Sequence, residues 1–253
     1  MISVSNLRKT ISGRVILDGI STTFDQGKVN MVIGSSGTGK SVLLKCLTGL
    51  SNIDGGTITY DETKLDKKCN FDKIRKTIGV LFQSGALFEY LTVEENVRFY
   101  LDTLLDMDKS SKELRVRECL EQVGMSEYLN RYPRQLSGGM KKRVALARAI
   151  SHNPKYLFCD EPESGLDPQN SYNVVNLISC ITTKYNITTI VISHNIDSMI
   201  NIGERIIYLK DSKIVWEGTN KDILNVNNSQ VLQFLNTSVM YKELHCRSLT
   251  QDL

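Results

Sequence analysis

The stretch Gly34-Ser35-Ser36-Gly37-Thr38-Gly39-Lys40-Ser41 constrains the fold more than any other part of this chain. It fits G-x-x-x-x-G-K-[ST], a loop that wraps nucleotide phosphates. The apolar run Val29 to Ile33 precedes it and reads as a buried strand; Val42-Leu43-Leu44-Lys45-Cys46-Leu47 follows and reads as a helix. Between a strand end and a helix start, successive backbone N–H groups point inward and the helix terminus adds partial positive charge. Glycine is required because a Cβ would block the approach of backbone to phosphate. Lys40 is then placed to reach the β- and γ-phosphates, and the Ser41 hydroxyl to ligate Mg²⁺. The expected nucleotide contacts are Gly34, Ser35, Ser36, Gly37, Thr38, Gly39, Lys40, Ser41 and Val42.

A second acidic element fits the same chemistry. Asp160-Glu161 ends the apolar strand Tyr156 to Cys159. Ligands in open α/β sheets bind at the carboxyl ends of strands, so this pair belongs beside the phosphate loop. One carboxylate, Asp160, can hold Mg²⁺, and the next, Glu161, can polarise an attacking water. Leu136-Ser137-Gly138-Gly139-Met140 adds a Ser cap, two glycines and a basic helix, which together build another anion site. One phosphate group needs only one such loop, so the second implies a composite site.

Composition excludes several classes. The 253 residues are 41% hydrophobic and 23% charged, ordinary for a globular chain with a real core. A net charge of +3 is too small to argue for nucleic acid or an acidic membrane surface. No run of about eighteen apolar residues is present to span a bilayer. The start, Met1 to Leu7, lacks the zones of a signal peptide, so a cytosolic location is expected. The six cysteines (46, 69, 119, 159, 180 and 246) have no C-x-x-C spacing and read as reduced thiols, with Cys46 and Cys159 as small core residues.

Residues 2–24 suggest two strands around Ser12-Gly13, Gly55-Gly56 reads as a turn, and Thr57 to Tyr60 as a short strand. Ile78 to Gln83 is a further strand. From about 92 to 152 the pattern is helical: Thr92-Val93-Glu94-Glu95 is a capping box, and Ser137 opens a helix to about His152. Strands Tyr156–Cys159 and Thr188–Ser193 flank a helix at about 168–183, which argues for a mainly parallel sheet. Arg205–Leu209 and Ile214–Glu217 read as a hairpin around Asp211-Ser212; an Asn-rich stretch from about 225 leads to a short helix, Gln230 to Leu235. The expected architecture is an α/β P-loop core at residues 1–224, with an N-terminal antiparallel β subdomain and a helical subdomain inserted at about 90–153. Residues 225–253 form a C-terminal extension.

With these motifs in this order, the chain resembles the ATP-binding cassette ATPases over nearly its whole length. LSGGM at 136–140 is similar to that family's signature. The resemblance implies ATP and Mg²⁺ as cofactors and gives roles to further residues. Gln83 matches the glutamine that contacts Mg²⁺ and senses the permease. Asp167, in Ser164-Gly165-Leu166-Asp167, matches the acid of the loop that crosses between subunits, and His194 matches the switch histidine on the γ-phosphate. His152 and His245 keep ordinary structural readings. The resemblance also implies two copies paired head to tail, each ATP held between Lys40 and Ser41 of one and Ser137, Gly138 and Gly139 of the other. Glu161 would activate water and His194 stabilise developing charge. The chain departs from the family twice. Ile11 aligns where an aromatic usually stacks on adenine, and Glu163 stands where a small or polar residue is usual, near the γ-phosphate or pointing to solvent.

LFQSGALF (81–88), GTGKSVLLK (37–45) and LSGGMKKRVALARAI (136–150) together resemble the ATPases of MCE-type lipid transporters, the Mla phospholipid system. Gln233-Phe234-Leu235 resembles the tail of that ATPase, which docks on a neighbouring subunit. This implies an integral permease, an MCE-domain lipid-binding protein, sometimes a STAS-domain regulator, and a place on the cytoplasmic face of the inner membrane. The small apolar residues after Gln83 suit a groove for a partner helix. Other readings stay open: an importer ATPase for a small polar solute of amino-acid type, a soluble translation or repair ATPase, and a binding-only switch. A GTPase is disfavoured because Asn220-Lys221-Asp222 lacks the N-K-x-D spacing.

Overall fold

The computed structural model describes residues 1–65, 71–238 and Tyr241. Cys69, His245 and Cys246, named above, lie outside the described residues. In chain order the elements are β1 (Ile2–Ile11), β2 (Arg14–Phe24), β3 (Val29–Ile33), α1 (Lys40–Leu47), β4 (Gly55–Tyr60), β5 (Thr63–Leu65), α2 (Asp72–Arg75), β6 (Ile78–Leu81), α3 (Val93–Leu104), α4 (Lys109–Gln122), α5 (Gly138–Ile150), β7 (Tyr156–Asp160), α6 (Pro168–Tyr185), β8 (Thr188–Ser193), α7 (Ile196–Ile202), β9 (Arg205–Lys210), β10 (Lys213–Gly218) and α8 (Ser229–Leu235).

They form two sheets. One is antiparallel, in the order β2-β1-β4-β5; the other runs β10-β9-β3-β8-β7-β6. In the second, β9, β3, β8, β7 and β6 are parallel and β10 closes the edge as a hairpin partner of β9. The expected parallel core and antiparallel N-terminal sheet are therefore both present.

Strand alternation shows why the sheet sits where it does. Side chains at successive strand positions point to opposite faces. Val29, Met31, Ile33, Leu157, Cys159, Val191, Ile206 and Tyr208 pack on one face among the helices. Val32, Phe158, Ile190, Ile192, Ile207 and Leu209 pack on the other, against Leu43, Leu44 and Leu47 of α1 and the inner face of the antiparallel sheet. Strands buried on both faces read as near-continuous apolar runs, as β3, β7 and β8 do. Helices α3, α4 and α5 share one cluster with the sheet through Val97, Leu101, Val116, Leu120, Val144 and Leu146.

The phosphate-binding loop follows β3 in the middle of the sheet. Because the neighbours are parallel, the carboxyl ends of β3, β6, β7 and β8 lie along one edge. That edge receives Gly34, Gln83, Asp160-Glu161 and His194 together.

Some local expectations change. Gly55-Gly56 is not a turn but the start of β4: register shifts between Ser5 and Arg8 make room there, and Gly56 adopts φ +83° against the Asn6 carbonyl, where a Cβ would come within 2.3 Å. The helix α7, the short helix α2 and strand β5 carry weak local signals. α7 is set by Asn195, whose side chain caps the N–H groups of Asp197 and Ser198. The capping box at Thr92 is present in full: Glu95 N–H donates to Thr92 Oγ1 at 3.3 Å and Thr92 N–H to Glu95 Oε2 at 2.7 Å. Cys46, Cys119 and Cys159 are buried.

Thr92→Ala removes one half of that box. It is expected to cost about 1 kcal/mol. A thermal midpoint lowered by about 2–4 °C is the corresponding observation for a chain of this size. An unchanged midpoint would show that the box contributes nothing.

Candidate active site

The phosphate loop closes on itself. Thr38 Oγ1 donates to the Ser35 carbonyl at 2.9 Å, and Lys40 Nζ donates to the carbonyls of Gly34 (2.8 Å) and Ser35 (2.9 Å). Two of the three ammonium donors are used within the loop, and the third remains for a phosphate oxygen. Gly39 caps α1 at φ 103°, and a Cβ there would lie 2.9 Å from the Ile16 carbonyl, so this position admits only glycine without backbone movement. Burial lowers the Lys40 pKa, and the nearby Glu161 and Asp160 charges oppose that shift.

Ser41 Oγ donates to Asp160 Oδ1 at 3.2 Å. Two cis oxygen ligands of Mg²⁺ at about 2.1 Å would lie about 3 Å apart, so this pair fits the cation's octahedral demand. Burial raises the Asp160 pKa, with the Ser41 hydrogen bond and the Lys45 and Lys40 charges opposing it. A bound cation would favour the ionised carboxylate. Among the described residues no group of three or more His, Cys, Asp or Glu side chains could hold a metal alone. Mg²⁺ takes one or two protein oxygens and completes its shell with phosphate and water, and Ser41 with Asp160 offers such a pair.

Glu161 stands at the centre of the polar network. Its backbone adopts φ +45°, unusual outside glycine, and its N–H donates to the Ile192 carbonyl at 2.9 Å. That turn carries the side chain between two partners: Gln83 Nε2 donates to Glu161 Oε2 at 3.0 Å, and His194 Nδ1 lies 3.1 Å from Glu161 Oε1. Gln83 Nε2 also donates to Ser164 Oγ at 3.2 Å. With its amide nitrogen so engaged, its amide oxygen is the atom left for a cation. A cavity of about 240 Å³ opens between the loop and this network, lined by Ile16, Ser36, Gly37, Gly39, Lys40, Ser41, Val42 and Glu161. It places the Glu161 carboxylate opposite the phosphate loop, an arrangement suited to transfer of a phosphoryl group to water.

The structure separates the remaining expected residues from that cavity. Ser137 caps α5 by accepting from Met140 N–H at 3.3 Å, and Ser137 and Gly138 are exposed. Asp167 caps α6, accepting from Asn170 N–H at 3.0 Å and from Asn170 Nδ2 at 2.6 Å, and these bonds lower its pKa. Neither Asp167 nor the Ser137–Gly139 turn lines the cavity. Ile11 stands 44% exposed where β1 meets the turn into β2. It lines neither this cavity nor the neighbouring one at Arg14, Val15, Ile16, Thr38 and Asp211. Ile16 lines both, and the alignment of Ile11 with a stacking position did not point to it.

Two buried cationic side chains were also invisible in the motifs. Lys142 Nζ donates to the Gln83 carbonyl and, at 3.4 Å, to the Glu161 carbonyl. Arg148 donates to the carbonyls of Ala86 (2.6 Å) and Gly85 (2.7 Å). Burial lowers the pKa of both. They fasten the loop after Gln83 to α5, the helix opened by Ser137. The available signal was a charge inside the apolar run Val144 to Ile150. His152 is an ordinary buried residue, bonded through Nε2 to the Ile78 carbonyl at 3.0 Å.

Glu161→Gln keeps the shape of the base and removes its charge. ATP turnover is expected to fall about 10²–10³-fold while ATP affinity stays within about threefold. Turnover near wild type would remove Glu161 from the base role. Lys40→Ala should instead weaken ATP binding itself, read by a fluorescent nucleotide titration.

The ABC transporter family profile matches residues 17–164. The methionine import ATP-binding protein MetN of Campylobacter jejuni is 34% identical, over 94% of this chain and 76% of that protein. The intermembrane phospholipid transport system ATP-binding protein MlaF of Haemophilus influenzae is 34% identical, over 93% of this chain and 90% of that protein. Among solved structures, the dimeric post-hydrolysis state of the ATP-binding cassette MJ0796, bound to ADP and Pi, superposes with a TM-score of 0.78 at 30% identity, over 87% of this chain and 99% of that one. With the site geometry, these likenesses identify the chain as a member of the ABC transporter family: an ATP-hydrolysing cassette that uses ATP and Mg²⁺.

Proposed function

We propose that this ATPase powers phospholipid movement between membranes through an MCE-type permease complex. The observation that carries this reading is a contact between two stretches of sequence. Met140-Lys141-Lys142 follows the signature glycines, where amino-acid importers usually carry glutamines, and LFQSGALF spans the end of β6 and the loop after it. Lys142 joins them by donating to the Gln83 carbonyl. Two of the three segments that resemble the lipid-transport ATPases are thus in direct contact, held further by Arg148 on Gly85 and Ala86. The likeness to MlaF supports it. The likeness to MetN favours a second reading, the ATPase of an amino-acid importer.

In either case the chain acts as a head-to-tail pair. Lys40 and Ser41 of one copy and Ser137, Gly138 and Gly139 of the other enclose ATP, with Asp167 in the crossing loop. Ser137 and Gly138 are exposed, and the Ser137–Gly139 turn lies outside the phosphate cavity of its own chain, which is the arrangement a shared site needs. Glu161 acts as base, His194 stabilises charge, and Gln83, Ser41 and Asp160 hold Mg²⁺. Residues 1–224 form the nucleotide-binding unit and 225–253 an extension. No helix among the described residues is long and apolar enough to cross a membrane. We infer a peripheral place for the pair on the cytoplasmic face, beneath an integral permease; on the lipid reading an MCE-domain protein and a STAS-domain regulator are further partners. No nucleic acid is involved.

Two measurements test this. Gly138→Asp places a negative charge at the exposed start of α5, where a Cβ meets only the Leu166 side chain at 3.4 Å. ATP binding by the chain should persist while turnover drops at least about 100-fold, because the charge repels the partner's nucleotide. Retained turnover would exclude the shared site. The tagged chain should also be purified from detergent-solubilised membranes and its companions identified by mass spectrometry. Recovery of a permease, an MCE-domain protein and phospholipid supports the lipid reading; a permease with a soluble solute-binding protein overturns it in favour of the importer.

A further inference from the structure

Glu163 follows Asp160-Glu161-Pro162, and the sequence suggested that it either faces the γ-phosphate or points to solvent. It does neither. The residue is 5% exposed, and its Oε1 accepts a hydrogen bond from the hydroxyl of Ser193 at the end of β8. Among the described residues its Oε2 is buried without a hydrogen-bond partner, so the Ser193 bond is what holds the carboxyl group. Its backbone is equally anchored: the Glu163 carbonyl accepts from Leu166 N–H at 3.2 Å and from Ser171 Oγ at 3.3 Å.

Ser193 has a second bond. Its Oγ accepts from Asn195 N–H at 2.8 Å. A hydroxyl has one proton to give, and here that proton goes to Glu163 while a lone pair takes the Asn195 N–H. Ser193 is thereby fixed from both sides, and the residue between Ser193 and Asn195 is His194. His194 Nδ1 reaches back 3.1 Å to Glu161 Oε1, two residues before Glu163. The turns after β7 and β8 are therefore joined by a closed ring of residues 161, 163, 193 and 194. The Glu161 N–H bond to the Ile192 carbonyl reinforces it.

The two side-chain bridges of the ring differ in environment. Glu163–Ser193 is buried, and a hydrogen bond is electrostatically stronger away from water. Glu161–His194 involves an exposed imidazole, so water competes for that contact. We propose that Glu163 is a positioning residue for ATP hydrolysis: through Ser193 it sets the His194–Asn195 turn so that His194 meets Glu161. The proposal rests on the assignment of Glu161 and His194 to catalysis. Glu163 does not line the cavity at the phosphate loop; it acts through the hydroxyl of Ser193.

The test is steady-state ATP turnover by the full chain, with its membrane partner retained where it co-purifies. The variants are Glu163→Ala, Glu163→Gln, Ser193→Ala, the Glu163→Ala/Ser193→Ala double variant and Glu161→Gln. Glu163→Ala and Ser193→Ala should each lower kcat about 10-fold and leave KM for ATP within about twofold, as expected for a misplaced catalytic pair. The double variant should be no worse than either single, because both remove the same bond. Glu163→Gln retains an oxygen that accepts from Ser193 and should restore kcat to within about threefold of wild type. Unchanged kcat in Ser193→Ala, a change confined to KM, or losses that multiply in the double variant would each overturn the proposal. If Glu163→Ala does not fold, Ser193→Ala decides alone, since it deletes only a hydroxyl. Glu161→Gln separates the levels. If it turns over like wild type, the catalytic reading and this inference both fall. If it is inactive while Glu163→Ala and Ser193→Ala are normal, the inference falls alone.

Discussion

Strands β3, β7 and β8 are covered on both faces, by α1 and the antiparallel sheet on one side and by the helical layer on the other. That double burial sets their register, since a slip of one residue would exchange the residues facing each layer. Parallel pairing then brings their carboxyl ends to one edge. Every group at the site hangs from that edge: the phosphate loop from β3, the acid pair from β7, His194 from β8, and Gln83 two residues beyond β6. The chemistry depends on distances of about 3 Å between these loops, and only a tightly packed sheet holds loops to that tolerance.

Buried cations form a second layer of support. Lys40, Lys142 and Arg148 are each removed from water, and each donates to backbone carbonyls. Leaving such a charge unpaired would cost several kcal/mol. Bonding to carbonyls offsets that cost and immobilises the loops that supply them. The segment from Gln83 to Phe88 is held this way from α5. Asn96 completes the hold by accepting from Phe88 N–H and donating to the carbonyls of Phe88, Leu91 and Thr92. Movement of α5, which begins at Ser137, is therefore mechanically linked to the loop carrying Gln83. A transport ATPase has use for that linkage, because events at the nucleotide must reach a surface loop.

Much of this was legible from the chain alone, and for a shared reason. The phosphate loop, the Thr92 capping box and the Ser137 cap are built from bonds between residues a few positions apart, so their types and spacing specify their shape. Strands β3, β7 and β8 were visible as apolar runs because both faces are buried. The misreading at Gly55-Gly56 has the converse cause. Two glycines predict a turn locally, but pairing of β4 with β1 draws them into a strand, and Gly56 is needed there for close approach to the Asn6 carbonyl. Ile11 was placed by alignment at the end of a strand, whereas the wall of the cavity is decided by which side of the hairpin faces the phosphate loop, and there it is Ile16.

The sequence by itself determined the chemistry: a lysine and serine in a glycine-rich loop, an adjacent acid pair after an apolar strand, a capped glycine turn and a histidine after the apolar strand that ends at Ser193. Each is a local pattern whose meaning survives without knowledge of its neighbours. Tertiary structure alone decided how those parts are held. Glu163 meets Ser193 thirty residues away, and Arg148 meets Gly85 sixty-three residues away. No spacing rule links such pairs, because contact between them follows from packing and strand order rather than from the period of a helix or strand. Glu163, which the sequence leaves open between the γ-phosphate and solvent, is buried against Ser193 once the sheet has formed around it.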